Sequence, residues 1–193
     1  MTVYLENYDP NVMQNGLNTQ KGVSLGSTLA VTGATTLSST LAVTGATTLS
    51  GAVTQKAGVI SGSGATATLT AAQSGSTVLF DRAAGIVYTL PAPAVGLWFE
   101  FVITVSITSN NAKIITDAGT TLLIGQVYNA VAAGTGTTFI ANGSTHIAMT
   151  QNGTTTGGLI GTMFLAQCVS ATQWSVSGTI LGSGTIATPF ATS

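Results

Sequence analysis

Charge is what this chain has least of. Among its 193 residues, 4 are Lys or Arg and 5 are Asp or Glu, so 5% are charged, against about a quarter in ordinary globular proteins. Four cations cannot track a phosphate backbone, which excludes nucleic acid as an expected partner. The carboxylates Glu6, Asp9, Asp81, Glu100 and Asp117 form no close pair suited to acid–base work outside the N-terminal stretch. His146 is the only histidine and has no Cys, Asp or Glu near it in sequence, so metal-ligand spacing is absent. The single cysteine, Cys168, excludes an internal disulfide framework. It sits among Phe164, Leu165, Ala166 and Val169, as a buried thiol does. Nothing matches G-x-S-x-G, and Gly134-Thr135-Gly136 and Gly182-Ser183-Gly184 lack the lysine of a phosphate loop. No catalytic site and no cofactor are therefore expected. Mean hydropathy is +0.50, yet no apolar run is long enough to span a membrane, and the opening MTVYLENYDPNV has no secretory pattern.

What the chain does have is an internal repeat. Ser27 to Ser38 reads STLAVTGATTLS, and Ser39 to Ser50 repeats it letter for letter. Around it the apolar residues Val23, Leu25, Leu29, Val31, Leu37, Leu41, Val43, Leu49 and Val53 are all odd-numbered. In an extended chain they share one face, because strand side chains alternate with period two. The other face is Ser, Thr, Ala and Gly, and no charge lies between Lys21 and Lys56. One such chain cannot bury its stripe against itself; three copies wound about an axis can. The prediction is a trimeric β-stalk over 23–54, with Gly33, Gly45 and Gly51 allowing bends. Disorder competes, since small polar residues dominate, but the strict stripe argues against it.

Residues 1–22 differ in composition and show no defensible period. They read either as a frayed terminus or as an attachment arm that orders on a partner. In the second reading Tyr4, Leu5, Tyr8, Val12 and Met13 are the apolar anchors. Residues 55–65, QKAGVISGSGA, read as a linker of small residues. From 66 to 193 short strand-like runs alternate with turn signals, which predicts an all-β head, an antiparallel β-sandwich or jelly-roll-like domain. Its central strand is expected in Leu97–Ile107, where Leu97, Phe99, Phe101, Ile103, Val105 and Ile107 make one apolar face. Asn142-Gly143 and Asn152-Gly153 open glycosylation-like triplets but read as hairpin turns. Asp81-Arg82 reads as a turn with solvated charges. Trp98, Tyr128 and Trp174 are candidate ligand platforms, or else packing residues.

The repeat resembles the shafts of tailed-bacteriophage fibre and head-decoration proteins. VYTLPAPAVGLWFEF (Val87–Phe101), NGTTTGG (Asn152–Gly158), QWSVSG (Gln173–Gly178) and GTIATPFATS (Gly184–Ser193) resemble a β-rich head module of phage virion proteins. The resemblance implies a homotrimer on the virion, fixed by its N-terminus to the major capsid protein or another virion protein, with the C-terminal head outward. It carries no family active site onto this chain. The chain is short for a complete tail fibre and poor in the acidic residues of a glycan-cleaving spike, which favours a capsid decoration protein or head fibre. The alternative is a short tail fibre that binds a host-surface glycan.

Overall fold

The computed structural model describes residues 33–38, 42–48, 50–51, 58–62, 64–131 and 134–193. The chain divides into two units, Met1–Val53 and Thr54–Ser193. In the first unit the described repeat residues bend at Gly33, Ser38, Gly45 and Gly51, and none belongs to a strand. A strand exists only through its ladder partners, and the described repeat residues have none. The anchors Tyr4, Leu5, Tyr8, Val12 and Met13 lie outside the described residues. So do Val23, Leu25, Leu29, Val31, Leu41, Leu49 and Val53 of the stripe.

The second unit is all-β. Its strands are β1 (Val59–Ser61), β2 (Thr66–Thr68), β3 (Thr77–Phe80), β4 (Val87–Thr89), β5 (Trp98–Ile103) and β6 (Ala112–Ile115). They continue with β7 (Leu122–Val131), β8 (Thr137–Asn142), β9 (Ala148–Gln151), β10 (Met163–Ser170), β11 (Gln173–Gly182) and β12 (Phe190–Ala191). Seven form one sheet in the order β1-β3-β5-β10-β11-β7-β8, and five form a second in the order β12-β9-β6-β4-β2.

Both sheets are mixed, which corrects the antiparallel expectation. The first six strands alternate between the sheets, so β1, β3 and β5 lie parallel in one while β2, β4 and β6 lie parallel in the other. The chain winds as a flattened coil. Successive strands in one sheet are a full turn apart and must run the same way. Only later do antiparallel pairs appear, as in β10 with β11, β10 with β5, and β7 with β8.

Other expectations shift with this winding. The linker reading of 55–65 gives way at β1, whose residues pair with Thr77–Leu79. Such a short run acquires strand structure only from its distant partner. The long strand read over Leu97–Ile107 stops at Ile103. Thr104 and Val105 both turn their N–H groups to the Phe80 carbonyl, and Ile107 N–H bonds Gly158 O at 2.9 Å. The two Asn-Gly pairs do not close hairpins. Each carries the chain from one sheet to the other, β8 to β9 and β9 to β10. Their asparagine carboxamides hold wider loops: Asn142 Oδ1 accepts the N–H groups of Ser144, Thr145 and His146. Asn152 Oδ1 likewise accepts those of Thr154 and Thr156.

One core lies between the inner faces. Phe99, Phe101 and Ile103 of β5 are buried there with Phe80, Tyr88, Phe164, Trp174 and Val176. Phe101 stacks on Phe164 with centroids 5.0 Å apart, and Phe80 meets Tyr88 edge-on at 5.1 Å. Such pairs add to their area burial because ring edge and face carry opposite partial charge.

Tyr88 also gives the core a pH dependence. Its hydroxyl donates to the Leu79 carbonyl at 2.8 Å, and its pKa is pushed from 10.0 up to about 12, first by burial and then by the nearby Asp81 charge. Asp81 is correspondingly more than a solvated turn residue: Ser61 Oγ donates to its Oδ2, and its Oδ1 is buried. A raised folded-state pKa means that the fold holds the phenol proton more tightly than the unfolded chain does. This stabilisation is fully present below pH 10 and is lost as pH rises towards 12. The urea midpoint should therefore fall over that interval, and Tyr88→Phe should flatten the fall. A wild-type midpoint unchanged across the interval would contradict the coupling.

Candidate interaction site

Strand alternation sends every second side chain of the seven-stranded sheet away from the core. In β5 the outward residues are Trp98, Glu100 and Val102; in β10 they are Met163, Leu165, Gln167 and Val169. The register aligns them into rows. One row runs Trp98, Gln167, Ser175, Ile124 and Asn142. The next runs Thr77, Glu100, Leu165, Ser177, Gln126 and Ile140. A third runs Leu79, Val102, Met163, Thr179, Tyr128 and Thr138. Glu100 is the only charged residue in all seven strands, and the Thr77 hydroxyl donates to it at 3.2 Å.

Strands with one solvated face normally alternate apolar with polar residues, whereas strands covered on both sides are apolar on both. β5 and β10 follow the second pattern, with Trp98, Val102, Met163, Leu165 and Val169 on the face opposite the core. Yet Trp98 is 41% exposed and Met163 51%, and Ile140 at the sheet's edge reaches 68%. This face is almost free of charge, as an interface core is, with its apolar residues concentrated on β5 and β10 beside Ser175, Ser177, Thr179 and Gln126 on β11 and β7.

Trp98 is fixed at one end of the face. Its backbone N–H bonds Ser74 Oγ at 3.0 Å, its carbonyl accepts Gly75 N–H at 2.9 Å, and its ring lies over Gly75, where a Cβ would touch it at 3.6 Å. At the other end, Leu181 pairs with Ala130 one step beyond the Thr179–Tyr128 pair. There the surface dips into an apolar hollow of about 330 Å³, lined by Leu181, Ala130, Leu159, Ile160 and Ser106 among others.

Two of the three candidate ligand residues share this face, Trp98 and Tyr128. The third, Trp174, does not. It is fully buried, with its ring 6.0 Å from Phe99, because its position in β11 points inward. Met163, Leu165, Val102 and the hollow escaped sequence reading, although the signal existed in MFLAQCVS, a strand apolar at both parities. His146 is accounted for locally: its ring stacks on Phe190 at 5.7 Å and its Nδ1 accepts the Asn142 N–H at 3.1 Å. Cys168 is buried, and that burial raises its thiol pKa. The fold and this face together define an all-β protein whose larger sheet, among the described residues, presents a partly exposed and nearly charge-free surface. No family model, curated protein or solved structure matches the chain.

Proposed function

We propose that the chain is a non-enzymatic structural protein of a tailed-phage particle: a homotrimeric capsid decoration protein or head fibre. Residues 1–22 grip the major capsid protein or another virion protein, the stripe from Val23 to Val53 joins three chains into a stalk, and the sandwich-like head faces outward. The observation that carries this reading is the state of the repeat in a lone chain. Leu37 and Val43, members of the odd-numbered stripe, are 54% and 53% exposed. Three copies wound together would bury them, and burial of a Leu or Val side chain contributes about 1.5–3 kcal/mol each.

The test uses the full chain. Wild type should sediment as a trimer, and Leu41→Asp should sediment as a monomer, since three carboxylates cannot share an apolar axis without a large desolvation cost. A wild-type monomer, or a Leu41→Asp trimer, would overturn the stalk. Deleting residues 1–20 should abolish retention on purified particles; full retention would overturn the arm.

The second reading is a short tail fibre that binds a host glycan. Trp98 and Tyr128, both exposed on one sheet face, favour it, since aromatic rings offer a flat apolar platform with a polar handle. Trp98→Ala should then remove a glycan-array signal while leaving the fold intact.

A further inference from the structure

We propose that the outer face of the seven-stranded sheet is covered by a second copy of this chain, the Trp98 ring of one copy seating in the hollow between Ala130, Leu181 and Ile160 of another.

Three observations select this occupant. The first is shape. Trp98 stands at one end of the strands, held by the Ser74–Gly75 turn, and the apolar hollow of about 330 Å³ lies at the other. One face thus carries both an aromatic knob and an apolar recess. A self-complementary face needs both halves of such a contact on the same chain. Buried aromatic anchors in apolar recesses are also what dominate interface energetics.

The second is extent. Seven strands about 4.8 Å apart and averaging about 22 Å in length make a face on the order of 700 Å². A stable interface buries about 800 Å² on each partner, so the sheet face alone approaches the required size. The row of Val102, Met163, Thr179 and Tyr128 leads from its middle to the hollow.

The third is charge. A partner with an acidic or basic surface would be matched by opposite charges here, and the seven strands hold only Glu100, already bonded by Thr77. A second copy meets this face with a nearly charge-free surface of its own, its one Glu100 hydrogen-bonded by Thr77 as in the first. Two such sheets stack about 10 Å apart, as in any face-to-face packing. The contact involves the head alone, so it stands whether or not the stalk joins three chains. Where the stalk does, tethering raises the effective concentration of heads and strengthens the contact.

The chain's two tryptophans provide the readout. Trp174 is buried in the core and Trp98 is the exposed one, so acrylamide quenching of full-length protein reports on Trp98; a Trp98→Phe control isolates Trp174. In wild type, emission should resist acrylamide; in Leu41→Asp, where no stalk tethers the heads, dilution should raise the quenching constant severalfold. Ala130→Arg, which fills the hollow, should leave Trp98 open at every concentration. Ser177→Arg, at an exposed position in mid-face, should do the same and serves if the first variant does not fold. Trp98→Ala should weaken head association at least about 30-fold, the loss expected of an anchor residue. Leu41→Asp separates this contact from the stalk: Trp98 that stays protected in that variant at high concentration supports the contact. Trp98 equally open in wild type and both arginine variants, at all concentrations, overturns it. Trp98 that becomes protected only on adding soluble glycans overturns it too, and assigns the face to a carbohydrate.

Discussion

Trp174→Ala should cost about 3–5 kcal/mol of folding stability, the range for emptying a large aromatic site in a core. Typical domains hold about 5–15 kcal/mol in all, so the variant should lose a large share of its stability. Trp174 is fully buried, opposite Cys168 on β10 and Leu123 on β7, with Phe99 against its ring. Removing it opens a void that three strands cannot close without breaking register. Its indole N–H is buried with no hydrogen-bond partner among the described residues. Trp174→Phe should therefore be far milder than Trp174→Ala, because it discards an unsatisfied donor while keeping most of the ring. Urea midpoints of the two variants measure this. A Trp174→Ala protein within about 1 kcal/mol of wild type, a normal range for surface changes, would show that the residue is not a core element. Trp98→Ala, at the exposed face, should cost less than half as much.

Gly153→Ala is expected to be the most damaging single methyl addition, at about 3 kcal/mol or more, from left-handed backbone strain together with overpacking. Gly153 has φ +80°, and a Cβ there would overlap the Ile107 carbonyl. The loop from Asn152 to Gly158 cannot shift to relieve this, because it ties several elements together. Gly153 N–H bonds Gly157 O at 2.7 Å, Gly158 O accepts Ile107 N–H, and Thr154 O and Thr155 O accept the N–H groups of Ser183 and Ala187. From β7, Asn129 Nδ2 also reaches Thr155 O at 3.1 Å. Gly96→Ala is the control: it has φ +96° but open space around it, so strain alone applies and the cost should be about 1–2 kcal/mol. Equal midpoints for the two alanine variants would mean that steric overlap at Ile107 has no part in the effect.

Much of the strand content was legible because it rests on period-two alternation within a few residues. Phe99, Phe101 and Ile103 could be assigned to one core face from spacing alone. β1 and β2 were not legible: Val59–Ser61 and Thr66–Thr68 are too short to show a period and are strands only because β3 and β4 lie beside them. The interaction face was half legible. Trp98 and Tyr128 stand out by residue type, whereas Trp174 belongs with them by type and is separated by parity in a strand whose register depends on β10 and β7.

The sequence by itself determined the all-β class, the charge-poor character and the repeated apolar stripe, since composition and local alternation are properties of neighbouring residues. Only the tertiary structure decided that the sheets are mixed, that Asn142-Gly143 and Asn152-Gly153 pass the chain between layers, and that Trp98 and the hollow share one sheet face. Each of these depends on which strand lies beside which, and strand pairing is set by contacts between residues far apart in the chain. The same turn chemistry that closes a hairpin also turns a coil, and local pattern carries no record of the difference.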